Sequence, residues 1–394
     1  MKSCREARWI TARVWLALAL ALALALPGIA AADVLRVGPG QAFRTIVAAA
    51  RVARDGDTLE IEAGTYVQQV VVWTQKKLTL RGVHGRVRLL AGGASAEGKA
   101  IWVFRNGDYL VEHIEFSGAR VEHRNGAGIR FEKGRLVVRD CLFEDNENGI
   151  LAGNDKDSEL VIEDSEFSHN GAGDGYSHNL YVGTMRKLTV SGSWSHHARI
   201  GHLLKSRARE NHILYNRLTD EAGGTASYEL EFPSGGIAYV IGNIIEQGPR
   251  TDNPHMLSFG AEGYAWPKNE LYLINNTLVD DLPAYGVFLR VAPGAGRVKA
   301  VNNLLLGPGR LDSAGPGEYL ANFNVAVADV ARASAYDYRL VPDAEVVGRA
   351  VDPGQANGVD LRPTREYVHP HHSRPQEAAQ VLSPGALQQT ESRR

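Results

Sequence analysis

Between Ser177 and His255 the chain gathers side chains that move protons or hold anions: His178, His196, His197, His202, Lys205, Arg207, His212, Tyr228, Glu229, Glu231 and His255. Six of the 13 histidines lie in this stretch, and imidazole is the side chain that ordinarily titrates nearest neutral pH. A lysine next to an arginine can neutralise a carboxylate, and a lysine of lowered pKa can serve as a base. Glu229 and Glu231 stand two apart, which on a strand puts both carboxyls on one face with Cβ atoms roughly 7 Å apart. Such a pair can act as the two carboxyls of a glycoside hydrolase or hold a calcium ion. His196 and His197 are adjacent, so on a strand they point to opposite faces and are not expected to share an ion. His369-Pro370-His371-His372 reads as a surface tract rather than a metal site. No glycine-rich nucleotide loop, nucleophile elbow or cysteine-nucleophile context is present.

A repeat supplies the scaffold for these groups. Apolar-rich segments align on a column formed by Ile114, Cys141, Ser165, Ser193, Asn216, Asn243, Asn276 and Asn303, with steps of 27, 24, 28, 23, 27, 33 and 27 residues. The context recurs as LVVRDCLFEDN, LVIEDSEFSHN, YVIGNIIEQG and YLINNTLVDD: short strands alternating apolar with polar, bounded by Gly, Asn and Asp turns. A period this long marks a solenoid; leucine-rich and helical repeats would show other patterns. Three strands per coil fit it, giving about nine coils stacked ~4.8 Å apart in a rod of roughly 45 Å. The expected fold is therefore all-β, a single-domain right-handed parallel β-helix, in which the four asparagines stack at one internal turn and satisfy buried backbone groups. Taking Leu204, Tyr228 and Leu230 as inward leaves Lys205 outward beside Glu229 or Glu231. One groove at mid-rod, lined by Lys205, Arg207, Tyr228, Glu229, Glu231, His178, His202 and His255, is the expected site.

The ends complete the layout. Lys2, Arg5, Arg8 and Arg13 precede an apolar run from Val14 to Leu26 and the small residues Ala30 to Ala32, the order of a secretory signal peptide over 1–32. The run is short of the ~20 apolar residues of a membrane anchor, so a secreted or periplasmic chain without membrane insertion is expected. Phe43 to Ala53 has Phe43, Ile46, Val47 and Ala50 on one helical face and is expected to cap the rod. The solenoid is expected over 33–352, followed by an extension over 353–394 that is largely disordered after about residue 374. Cys141 is the one cysteine outside the leader, so no internal disulfide stabilises the chain. A net charge of −2 gives no field favouring nucleic acid. A monomer is expected.

Asp55 to Gly82 (DGDTLEIEAGTYVQQVVVWTQKKLTLRG) resembles the opening coil of the pectin-lyase-like superfamily, whose members begin with a capping helix, a GD-T-I turn, a GTY turn and an LTL-G strand. The matching residues are Gly56, Asp57, Thr58, Gly64, Thr65, Tyr66, Leu78, Leu80 and Gly82. Lyases, hydrolases, epimerases and adhesins share that architecture. A shorter stretch, LLKSRARENHILYNRLTD, is similar to the K-S-x-x-N region of chondroitinase B and its alginate-lyase relatives, matching at Lys205, Ser206 and Asn216. It reads Leu230-Glu231-Phe232-Pro233 where that family has L-R-H-G, and Arg199 and His202 where the family has calcium-binding acids.

The resemblance implies a lyase cleaving a uronate-containing acidic polysaccharide by β-elimination, with Lys205 as base. Alternatives are a non-catalytic glycan-binding or structural β-helix, and a hydrolase or epimerase. Elimination needs the uronate carboxylate neutralised, a base at the adjacent proton and an acid at the leaving oxygen. Arg207 or a histidine suits the first task. His202 suits the last, as does Tyr228 if the register places it outward. His178, Glu229, Glu231 and His255 are then substrate-binding, and a calcium ion on Glu229 and Glu231 would relieve their pull on the Lys205 proton.

Overall fold

The computed structural model describes residues 32–284, 286–311, 317–376 and 382–388. The expected leader, apart from Ala32, lies outside them. Strands from successive coils pair in parallel into three faces of a right-handed solenoid of about 10 turns. Faces 1 and 2 belong to one continuous sheet, and face 3 is a separate sheet of 10 strands. In the middle of the rod, one coil runs Met185–Ser191 on face 1, Trp194–His196 on face 2 and His202–Ser206 on face 3. The next runs Glu210–Leu214, Arg217–Thr219 and Tyr228–Phe232, and the one after that Ile237–Ile241, Ile244–Gln247 and His255–Phe259.

Burial drives the stacking. Val190, Ile213, Val240, Leu273 and Ala300 lie in one inward file with their neighbours in register. Phe116, Phe143 and Phe167 stack inside the rod with ring centroids 5.1 and 4.8 Å apart. Between faces 1 and 2 the residue before each column position has a positive φ, as at Asp140, Asp164, Gly192, Tyr215, Gly242, Asn275 and Asn302. Gly, Asn and Asp tolerate that conformation best, which is why they punctuate the repeat. The column itself is a hydrogen-bonded ladder. Asn216, Asn243 and Asn276 each donate backbone N–H and side-chain Nδ2–H to the next asparagine's Oδ1 at 2.9 and 3.0 Å. Each Nδ2 also reaches a carbonyl of the preceding coil. Asn303 continues the ladder onto Asn322.

The ends differ from expectation. The N-terminal helix is one turn, Ile46–Ala50, not residues 43–53. Thr45 caps it, Phe43 is drawn into a bridge with Val37, and the chain leaves the helix at Arg51 to enter the first coil. The last coil strand is Phe323–Val325, so the solenoid stops well before residue 352. DYRL pairs antiparallel with Val330–Arg332 rather than forming a coil. The extension beyond it is not a loose tail where described. Arg365–Val368 and His372–Pro375 form a hairpin, and Ala386 N–H donates to Thr277 Oγ1 at 3.1 Å. This segment covers the outside of faces 1 and 2, burying Tyr367 and Ala386 against Ile244, Val279, Leu304 and Leu306. No helix among the described residues is long and apolar enough to cross a membrane.

Candidate active site

Face 3 breaks strict alternation once per strand. Leu203 and Leu204, Met256 and Leu257, and Phe288 and Leu289 are consecutive, and all enter the core. The residues just before and just after each pair therefore point outward. In the intervening strand the pair is Glu229 and Leu230, so Glu229 takes a position held by Leu203, Met256 and Phe288 in neighbouring coils. The expectation that Glu229 and Glu231 share a face is wrong for this reason. Glu229 is sealed inside, where burial and the nearby Asp220 push its carboxyl well above the usual range. The two glutamates cannot flank a sugar bond as a hydrolase pair or hold one calcium ion together. Tyr228, expected inward, points outward.

Two outward rows result. His178, His202, Tyr228 and His255 form the first. Ring centroids are 4.5 Å apart for His178 and His202, 4.9 Å for His202 and Tyr228, and 6.4 Å for Tyr228 and His255. Tyr181, Lys205, Glu231 and Ser258 form the second, in register across four coils. Glu231 joins the rows, with Oε2 2.9 Å from His202 Nε2 and 2.9 Å from Lys205 Nζ. Burial works to raise the Glu231 carboxyl, but the bond from His202 and the Lys205 charge hold it below its ordinary value. Burial lowers His202, which is therefore neutral near pH 7, donating Nε2–H to Glu231 and leaving Nδ1 without a partner. The His202 backbone N–H donates to His178 Nδ1 at 3.0 Å, and burial keeps His178 neutral as well. His255 Nδ1 meets Asn253 Oδ1 at 2.8 Å.

Arg207 lies just past the strand end, bonded to Tyr181 Oη and Ser234 Oγ, each at 3.1 Å. It also meets a residue that the sequence reading missed. Glu262 lies on the loop of residues 260–269 and sets its carboxylate across both cations. Its oxygens are 2.6 and 2.9 Å from the Arg207 nitrogens and 3.3 Å from Lys205 Nζ. The Arg207 bonds hold Glu262 down at about 2. The side chain is still 48% exposed, on a loop flanked by Gly260 and Gly263 at positive φ. The structure thus brings together Lys205, Arg207, Tyr228, His202, His178, Glu231 and His255, and excludes Glu229.

No family model matches the chain, and no curated protein sequence matches it. Among solved structures, the crystal structure of pectate lyase Pel9A superposes with a TM-score of 0.56 at 11% identity, covering 92% of this chain and 98% of that one. The chain folds as a right-handed parallel β-helix like that of this pectate lyase. At that identity the likeness is one of fold.

Histidines elsewhere in this β-helix also depart from expectation. His197 turns the corner after face 2 at positive φ, so its Nδ1 comes 2.6 Å from that of His196 instead of facing away. The His369–His372 tract docks on face 2, where His371 sits 3.6 Å from Asp140 and 3.5 Å from Glu166. The two carboxylates beside it raise His371 to about 9.

Proposed function

We propose that this protein is an exported polysaccharide lyase that cleaves a uronate-containing glycan by β-elimination along face 3. One observation carries the reading: Lys205 and Arg207 converge on a single carboxylate, that of Glu262. A bidentate arginine with an adjacent ammonium is a carboxylate receptor, and a uronate presents the same group. When substrate displaces Glu262, the two cations draw charge from the uronate carboxylate and acidify the neighbouring C–H.

The base role implied by the resemblance moves from Lys205, held between two carboxylates, to His202. Its neutral imidazole is oriented by Glu231, and its unpartnered Nδ1 is covered in the free protein, so it acts as base once substrate entry parts the neighbouring rings. The proton passes from carbon to His202, the C–O bond opposite breaks, a C=C bond forms, and the Tyr228 phenol protonates the departing oxygen. His178 and His255 extend the row as ring faces for neighbouring sugars.

Ultraviolet absorbance against alginate, pectate, glucuronan and glycosaminoglycans tests this, since elimination alone yields an absorbing unsaturated product. Growth of absorbance with one of them, abolished by His202→Ala, is expected. Glycan binding with no absorbance from any would make face 3 a binding surface rather than a catalytic one.

A further inference from the structure

A cavity of about 480 Å³ opens between face 2 and the chain that follows the last coil strand, on a different face from the face 3 groove. Its solenoid wall is built from Trp194 and Arg217, partners in register on adjacent coils. The Arg217 guanidinium lies 5.0 Å from the Trp194 ring centre and 3.9 Å from that of Tyr336, which closes over it from the segment after the last coil strand. Three bonds fix the guanidinium plane: to Thr219 Oγ1 at 3.0 Å, Glu221 Oε1 at 2.6 Å and His369 Nδ1 at 3.2 Å. Tyr336 has φ 58, a conformation bulky residues rarely adopt and one that persists only where the surroundings impose it. Across the cavity stand Tyr367 and Glu366, the latter bonded by Arg374, whose side chain is 53% exposed.

The charge pattern selects the ligand. Arg217 has Glu221, Arg339 has Asp337 and Arg374 has Glu366, so each cation of the lining is matched by its own carboxylate. Anions gain little there, whereas in the face 3 groove displacing the exposed Glu262 frees Arg207 and one side of Lys205. Trp194 is stacked on His196 at 3.7 Å and Tyr336 on Arg217, so the cavity offers ring edges and planar donor and acceptor pairs, which suit the C–H groups and hydroxyls of a sugar. The volume lies in the range of small-molecule sites. We propose that this cavity is a second, non-catalytic saccharide site that takes a neutral unit of one or two rings. It exists only when the extension is docked, and it does not depend on face 3 being catalytic.

Tryptophan fluorescence can read the two sites separately. Trp9 and Trp15 belong to the leader and Trp73 and Trp102 are fully buried, so Trp194 and Trp266 are the responsive pair in the mature chain. The Trp266→Phe protein, whose response then reports Trp194, is titrated with cellotriose, maltotriose and xylotriose, and with trigalacturonate as the acidic comparison. At least one neutral trisaccharide should give a saturable change that Tyr336→Ala or Arg374→Ala weakens about tenfold or more and Lys205→Ala leaves intact. Arg374→Ala alters an exposed tip, so it remains informative if Tyr336→Ala loosens the extension. No response to any neutral trisaccharide, a response to trigalacturonate alone, or one that survives both substitutions would overturn the proposal. If the Trp194 response stands while the absorbance assay stays silent, the lyase reading has failed and the saccharide site has not.

Discussion

Lys205 and Arg207 carry two positive charges into a groove on a chain of net charge −2, and in the free protein Glu262 quenches both. Glu262→Gln should therefore tighten binding of a uronate oligosaccharide several-fold, measured by calorimetry against the parent; weaker binding would mean that Glu262 organises the cations rather than occupying their site. A second residue-scale prediction concerns the acids sealed behind face 3. Burial raises Asp220 to about 7 and Glu246 to about 8, and both Asp220 Oδ1 and Glu229 Oε2 lack partners. A carboxyl whose folded pKa exceeds its unfolded one leaves stability intact below the unfolded value and erodes it as pH rises through the folded one. The window for Asp220 thus runs from the ordinary carboxylate range up to about 7. Asp220→Asn should match the parent in denaturant at about pH 4 and exceed it by on the order of 4 kcal/mol at about pH 9; equal stability at both would show that burial does not shift this carboxyl. Residue by residue, the sequence showed Lys205 and Glu231 outward because both follow the paired core positions of face 3. It misplaced Glu229 and Tyr228 because a strand with two consecutive inward residues violates the two-residue period on which that reading depends. Glu262 had a signal that went unused: the 33-residue step from Asn243 to Asn276 exceeds its neighbours, and the extra chain holds the loop that carries it.

The repeat was legible at the scale of elements because the asparagine column does a physical job visible in sequence. Each Oδ1 accepts the buried backbone N–H of the asparagine one coil before, and each Nδ2–H reaches a carbonyl of that same earlier coil, as Asn243 does with Asn216 N–H and Ile213 O. Asn243→Leu strands those groups and should cost ~1–3 kcal/mol; an unchanged thermal midpoint would count against the ladder. What escaped the reading is the cover on faces 1 and 2. Strands of early coils have charged outer faces, as where Glu112 bridges Arg81 and Arg139 at 2.8 Å each. Later strands such as IAYVI and ELYLI carry apolar residues on both sides, and an apolar outer face in a solenoid implies something packed on it. The structure supplies it: Tyr239, Ile241, Tyr272, Ile274 and Val301 lie beneath Ala356 and Leu361. Removing residues 327–394 should expose that surface, giving strong binding of a hydrophobic dye and concentration-dependent association; a monomeric, dye-silent rod would show that the cover is dispensable. The short N-terminal helix follows similar logic, since its amphipathic pattern extends over more residues than the coil entrance leaves free to be helical.

Across the whole molecule, the two proposed sites would separate two kinds of recognition by face. The face 3 rows run along the rod over four coils, about 14 Å at the strand spacing, so an extended glycan lying there must follow the rod axis. Attraction to that groove comes from Lys205 and Arg207, whose side chains are 13% and 20% exposed, and a long-range charge attraction is screened by salt. The face 2 cavity has its cations and carboxylates matched pair by pair and draws on ring contacts that salt does not screen. The two sites should therefore respond differently to ionic strength in one protein. Trigalacturonate binding, read in the Trp194→Phe variant through Trp266, whose Nε1–H donates to the Arg207 carbonyl, should weaken several-fold between about 0.02 and about 0.5 M salt. Neutral trisaccharide binding, read through Trp194 in the Trp266→Phe variant, should change little over the same range. If both affinities fall together, charge governs the face 2 cavity after all and its ligand is acidic. If neither falls, Lys205 and Arg207 do not meet the uronate carboxylate, and the face 3 groove recognises its glycan through the His178, His202, Tyr228 and His255 row alone.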